Sequence, residues 1–372
     1  MKTKKRVFLS AAALMIGAIG FAQNTNTIGQ KGSDNDATVN QSGLNTSTVT
    51  QGVVGNEGYS NRAIIDQNGS NSSTVNQYDG VFGENENNKA TVTQDGSSNN
   101  SLVNQMDDDN IADISQNGSN SSSNVDQVGS SNFSDVDQDG TSHNSEINQS
   151  GNAGNIQPNN LAFVDQKGDE QNSLIIQDNT RNYANVKQRD SRNDARVEQA
   201  NINPAGGTEN DATIYQEGVE NEASVVQAGQ YPQGSLGLGS YHNVSLQAQI
   251  GDQNDASVKQ EGSGHNAEQK QLGDGNLADD FQKGSSQESI VMQDGNLNQS
   301  ITLQNGFGHS STVEQFGNSN ESDVFQTGGQ HTSTLLQDGD FNIHDVNQSG
   351  NGNMSTVSQI GSGNMATVTQ GN

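Results

Sequence analysis

Between Asn24 and Gln370 the chain alternates between restricted and unrestricted positions. Its last stretch reads Asn353-Met354-Ser355-Thr356-Val357-Ser358-Gln359, then Ile360-Gly361-Ser362-Gly363, then Asn364-Met365-Ala366-Thr367-Val368-Thr369-Gln370. The same seven-residue core closes on a glutamine 29 times, from Gln30 to Gln370, most often eleven residues apart. Its third position is Ala or Ser in 27 units, with Asn26 and His344 the exceptions, and its fifth is Val, Ile or Leu in 25. Asn opens 22 of the cores, while the even positions hold a mixture of Thr, Asp, Ser, Asn, Glu, Lys and Arg. A period of two predicts a β-strand with one restricted face and one solvated face. Gly, two residues past the glutamine in 22 units, supplies a tight or left-handed turn after the strand.

One such strand cannot bury enough apolar surface to offset its ordering entropy, so it must stack on copies of itself. In-register stacking lets the Asn and Gln columns form amide ladders, each side chain donating to the next. Val then stacks on Val, and small Ala or Ser lets two walls close together. Five intervals between glutamines exceed eleven residues: 51→67, 77→94, 149→166, 199→216 and 227→249. Counted from Gln30, each leaves an odd strand and enters an even one. Strands that alternate between two walls would therefore place every insertion on one edge. Pro158, Pro204 and Pro232 all lie in these intervals, where no ladder N–H is needed. The expected fold is all-β: one β-solenoid of stacked two-strand rungs, cross-β-like, with 22 residues per rung. About 14 rungs at ~4.8 Å each give a stack roughly 70 Å tall.

One region departs from the pattern. Gln247, Gln269, Asp280 and Thr302 occupy fifth positions, while Leu246, Phe281 and Leu303 sit at even ones. A local flip of the inward face across residues 243–304 accounts for this, and so does a seam near 228–242. We favour one continuous stack with a poorly packed middle.

The first residues change the picture. A basic start, Met1-Lys2-Thr3-Lys4-Lys5-Arg6, runs into the apolar stretch Val7–Gly20, and Gly20 and Ala22 suit a signal-peptidase site. Residues 1–22 are expected to be a cleaved signal peptide and 23–372 the solenoid, with no transmembrane anchor after cleavage. Losing four cations takes the net charge from −28 to −32. That balance argues against nucleic acid and anionic lipid as partners, and makes self-association sensitive to salt and divalent cations. No cysteine is present, so a disulfide framework is excluded. Hydrophobic residues make up only 28%, which by composition alone reads as disorder. Periodicity overrides it.

No group stands apart from the repeat as a catalyst would. The serines are repeat serines, the glycines are turn residues, and no phosphate-cradling loop opens a helix. The acidic exterior leaves room for loose calcium binding without a dedicated site, and no cofactor is expected. His143, His265, His309 and His331 replace Asn at the first position. His309 and His331, one rung apart, are a weak candidate metal- or pH-sensitive pair, against which stands simple substitution in the column. Thr-x-Thr runs such as Thr46–Thr50 are too interrupted for an ice-binding face.

An export signal followed by units such as Asn35 to Gln41, leading through Gly43 to Asn45 and Gln51, resembles the curlin repeat of curli fibre subunits. The resemblance covers nearly all of the chain after residue 22. It implies a secreted, extracellular functional amyloid fibre on the outer cell surface that supports adhesion and biofilm. The implied partners are the chain itself or related curlin subunits, a surface nucleator and an outer-membrane secretion pore. The candidate ladder and polymerisation residues are Asn24, Gln30, Asn35, Gln41, Asn45 and Gln51 towards one end. Towards the other they are Asn342, Gln348, Asn353, Gln359, Asn364 and Gln370. Soluble repeat proteins cap their terminal edges, and neither terminal unit leaves room for a cap. A soluble, monomeric solenoid adhesin or binding module is the alternative that persistent monomers would reveal.

Overall fold

The computed structural model describes residues 23–52, 58–78, 87–151, 159–178, 180–201, 209–229 and 242–371. The expected signal peptide, the three prolines and residues 230–241 of the candidate seam lie outside them. Among the described residues all regular structure is β, coiled into about 14 turns of ~22 residues each. Twenty-seven strands form a single parallel sheet, and a two-residue pair, Gly32–Ser33 with Gly58–Tyr59, stands apart. Arg62–Tyr78 and Lys89–Met106 each carry two repeat units through a turn without a break, which reconciles 27 strands with 29 units.

Each unit pairs not with its sequence neighbour but with the unit after that. Gln30 lies beside Gln51, Gln51 beside Gln77 and Gln348 beside Gln370 on one wall. Gln41 lies beside Gln67 and Gln337 beside Gln359 on the other. Every long interval leaves the first wall and enters the second, so the strand ends that flank the insertions share one edge of the coil. Odd positions point inward throughout: along Phe133–Thr141, for example, Ser134, Val136 and Gln138 are fully buried between outward neighbours. Aliphatic fifth positions and third-position alanines build one apolar cluster from Val49 to Val225, and a shorter one joins Ala278, Val291, Val313, Val324 and Leu335.

The turns contain two left-handed residues, of which the sequence reading anticipates only the glycine. A Cβ on Gly118 (φ +132°) would lie 1.8 Å from the Gly140 carbonyl oxygen of the next rung. Backbones approach too closely there for almost any side chain. The second left-handed residue, immediately before most first positions, faces solvent and accepts Ser, Glu, Gln, Leu297 or Phe341 at some cost in strain.

The flipped face does not occur. Gln247, Gln269, Asp280 and Thr302 all point inward and are buried, while Leu246 stays outside at 39% exposure. Strands flanking the longest interval pair directly and in register, Gln216 with Gln249 and Gln227 with Gln260. Flipping this stretch would turn its closing glutamines out of two hydrogen-bonded columns, a larger loss than burying four polar side chains.

Candidate functional site: amide columns and open rungs

The closing glutamines are placed by the strands and buried by the opposite wall, where an unpaired amide would be expensive. Between the end rungs each Nε2 uses both hydrogens. One goes to the next glutamine of its own wall: Gln30 to Gln51 at 2.7 Å, Gln138 to Gln166 at 2.9 Å, Gln348 to Gln370 at 2.8 Å. The other goes across the interior to a second-position carbonyl, as from Gln105 to Lys89 at 3.0 Å and from Gln293 to Leu277 at 2.9 Å. A glutamine therefore ties rung to rung and wall to wall at once. The direction never reverses: each amide donates toward the C-terminal end of the stack, and none of the columns is interrupted between Gln30 and Gln370 or between Gln41 and Gln359.

The asparagines behave differently from expectation. They do not simply donate to the next asparagine. Most Oδ1 atoms accept the backbone N–H that opens the next rung, as at Asn45 to Asn24 (2.9 Å), Asn61 to Asn35 (3.1 Å) and Asn364 to Asn342 (3.0 Å), while those of Asn182 and Asn210 find no partner. The Nδ2 of the rung nearer the C-terminus often donates back to that same oxygen, as from Asn342 to Asn320 at 3.1 Å, and otherwise to turn carbonyls such as Gly361 at 2.8 Å. The asparagine column thus runs opposite to the glutamine column. A shorter side chain reaches the adjacent backbone before it reaches its neighbour's amide.

Histidine reproduces the asparagine pattern. The His331 N–H donates to His309 Nδ1 at 3.3 Å, and the Asn353 N–H to His331 Nδ1 at 3.1 Å. Their Nε2 atoms lie 3.2 Å from the Asn305 carbonyl and 3.1 Å from the Thr327 carbonyl. The rings stack at 5.0 Å with planes 6° apart. All four ring nitrogens are thereby engaged in the neutral, Nε2-protonated form, and no lone pair is left to a metal. Burial lowers the pKa of His143 and His309, and takes His265 down to about 4. His344, at a third position, is also buried and held at about 4, and neither of its ring nitrogens finds a partner. Its exceptional position in the repeat was the only sign of it in the sequence.

The ends of the described stack are open. Thr25–Gln30 is exposed at every residue and pairs on one side only, as does Met365–Gly371. At the first rung, Gln30 and Gln41 donate inward to Gln51 and Gln67, and among the described residues nothing donates to their Oε1 atoms. At the last rung, Gln359 and Gln370 make the cross-wall bond alone, to Ile343 and Met354, so one Nε2 hydrogen of each is unused. Met354, Ile360 and Met365 rim that rung at 69–73% exposure, apolar surface beyond what the interior rungs show. Of the other candidates, Asn45, Gln51, Asn342 and Gln348 are fully buried inside the stack, and Asn24, Asn35, Asn353 and Asn364 line its outermost rungs.

Outside, the acidic surface is partly neutralised by pairs between rungs, such as Arg181 with Glu209 and Arg192 with Glu220, both at 2.5 Å. Being exposed, these contribute little stability. Among the described residues there is no cluster of three metal-ligating side chains, and no helix long and apolar enough to cross a membrane.

The sequence model of the curlin associated repeat matches residues 207–231, 301–328 and 345–371. No curated protein matches the chain. The three matched segments lie on both walls in the same register as the rungs between them, so the chain carries curlin associated repeats, and the match supports a place in the curlin-repeat family.

Proposed function

We propose that this chain is the structural subunit of an extracellular curli-like amyloid or fimbrial fibre, assembling end to end and supporting cell adhesion and biofilm matrix. One observation carries the reading: the two ends of the stack are complementary in hydrogen-bond sense. The last rung offers unused amide N–H groups at Gln359 and Gln370, and the first offers vacant Oε1 acceptors at Gln30 and Gln41. Head-to-tail stacking extends both glutamine columns without a fault, whereas head-to-head contact sets like against like. The curlin-repeat family, one of structural fibre subunits rather than enzymes, supports the same reading. The reading requires secretion and a partner with the same repeat, whether a second copy or a related curlin subunit. By family resemblance, an outer-membrane pore and a surface nucleator complete the route.

The test is assembly of the purified chain lacking residues 1–22. Fibres with a ~4.8 Å meridional repeat are expected, with a lag that shortens in salt or calcium as the acidic exterior is screened. Gln359→Leu/Gln370→Leu protein added to wild-type seeds should slow elongation by occupying ends that cannot pass the column on. Monomers that persist for days at high concentration and moderate salt would instead establish the soluble adhesin.

A further inference from the structure

The two apolar clusters do not meet. Between Val258 and Val324 the fifth positions of the first wall are Asp280 and Thr302, and facing them from the second wall are Gln269 and, beyond it, Val291. Asp280 is fully buried, and neither carboxyl oxygen has a hydrogen-bond partner that would balance a charge. Gln269 cannot serve: its Nε2 donates to the Ser257 and Ala278 carbonyls at 2.9 and 3.2 Å, and its Oε1 receives Gln247 at 3.0 Å. The Ser289 hydroxyl lies beside the carboxyl, but neither it nor the carboxyl oxygens complete a hydrogen bond.

No cation reaches it from any element packed around it. On its own strand Asp279 and Lys283 point out to solvent, as do Asp255, Lys259 and Glu261 on the strand before it. The following strand, Gln299–Phe307, carries no charge. On the opposite wall Glu268, Lys270, Glu288 and Asp294 all lie on the solvated side. His265 is buried, but at the turn, with Nε2 3.3 Å from the Glu261 carbonyl.

We propose that Asp280 is an acid-closed latch: the rungs around it stack when its carboxyl is protonated, and loss of that proton opens the joint between the two apolar clusters. A protonated carboxyl adds a donor and carries no charge, and it fits a column of Val-sized side chains. A carboxylate there, with no cation and no N–H to receive it, has only hydration by local opening as a remedy. Burial accordingly raises its pKa well above the usual carboxylate range. Because the folded form binds the proton more tightly than the unfolded chain, the stabilisation is complete in acid and is lost progressively as pH rises through the folded pKa. The joint would thus delay completion of the stack at neutral or alkaline pH and release it on acidification.

The experiment is hydrogen exchange on the full chain lacking residues 1–22, corrected for intrinsic rates, at pH 5 and pH 8. For residues 255–307 of the wild type, protection should fall at least about tenfold at the higher pH relative to residues 111–199. In Asp280→Asn and Asp280→Val the difference should vanish, and Asp279→Asn should behave as wild type. Infrared spectra at pH 5 should show a protonated-carboxyl stretch that is absent from the difference partner Asp280→Asn. Equal protection at the two pH values, or a pH dependence that survives in Asp280→Val, overturns the proposal. Should Asp280→Asn fail to fold, Asp280→Val, which restores the residue type found in most rungs, decides alone.

Discussion

Two stretches of the stack share a backbone and differ in what fills it. From Val49 to Val225 every fifth position is Val or Ile, fully or almost fully buried, and with third-position Ala they form one continuous cluster. From Gln247 to Thr302 the interior is largely amide, carboxyl and hydroxyl, and the apolar side chains Leu246, Phe281, Ile301 and Leu303 lie on the outer face. Yet the glutamine columns pass through both without a change of length, 2.9 Å from Gln138 to Gln166 and 3.0 Å from Gln282 to Gln304. The register is equally constant. Hydrophobic burial therefore sets how firmly a rung is held, while the amide columns and the turn glycines set where it lies.

That division can be broken first at the core. Val136→Asp, in the aliphatic stretch, puts an unpaired carboxyl between Ile114 and Val164 and should cost more than about 4 kcal/mol, enough to unravel neighbouring rungs. The reciprocal change, Asp280→Val, should stabilise its region by about 1–3 kcal/mol at neutral pH. Guanidinium unfolding followed by segment-resolved hydrogen exchange reads both. Equal losses from Val136→Asp and from Asp280→Asn would mean that the two interiors are not different in kind.

Glycine substitutions should erase the contrast. Gly118→Val and Gly284→Val each drive a Cβ to 1.8–1.9 Å from a carbonyl oxygen of the next rung, in the aliphatic and polar stretches respectively. Both should cost roughly 3 kcal/mol, combining left-handed strain with displaced backbone. A markedly milder effect at Gly284 would show that the polar stretch yields more easily along its whole turn. Gln138→Leu and Gln282→Leu should likewise match each other at about 1–3 kcal/mol, since each leaves the same neighbouring amide and carbonyl unpaired.

Much of this was legible in the sequence because the repeat is spaced by physical necessity. A closing glutamine every eleven residues, with insertions always in alternate intervals, specifies two walls and their shared edge. The glycine two residues on marks the close approach of turns. Direction was not legible. Periodicity says that Asn45 and Gln51 stack on copies of themselves, and not that one accepts a backbone N–H while the other donates to its neighbour. Nor does it distinguish a flipped strand from a polar interior at Asp280, because both give the same alternation. Only the cost of turning out Gln282 and Gln271, each bonded to both walls, decides between them. The second left-handed turn position leaves only a weak signal, a bias toward Gly, Ser, Asn and Asp, since solvent also admits Leu297 and Phe341 there.

The smallest effect concerns acid. Between Val49 and Val225 one first position is histidine, His143, whereas His265, His309 and His331 follow one another closely on the second wall. Each must be neutral for Nδ1 to accept a backbone N–H, or, at His265, to remain buried without a partner on that atom. With the His265 pKa held near 4 against about 6.5 in the unfolded chain, its contribution is complete above the ordinary value and fades as pH falls toward 4. Protection of residues 266–294 should therefore drop about tenfold between pH 6.5 and pH 4.5. His265→Asn, which puts back the carboxamide used at most other rungs, should abolish the drop, while residues 161–199 should show none in either protein. The sign is opposite to that of Asp280, which loses its hold as pH rises. A stretch weakened from both sides is firmest in mild acid, whereas residues 161–199, with no buried histidine and no fully buried carboxyl, have no such optimum, so a pH scan of the two segments in one molecule separates them without any substitution.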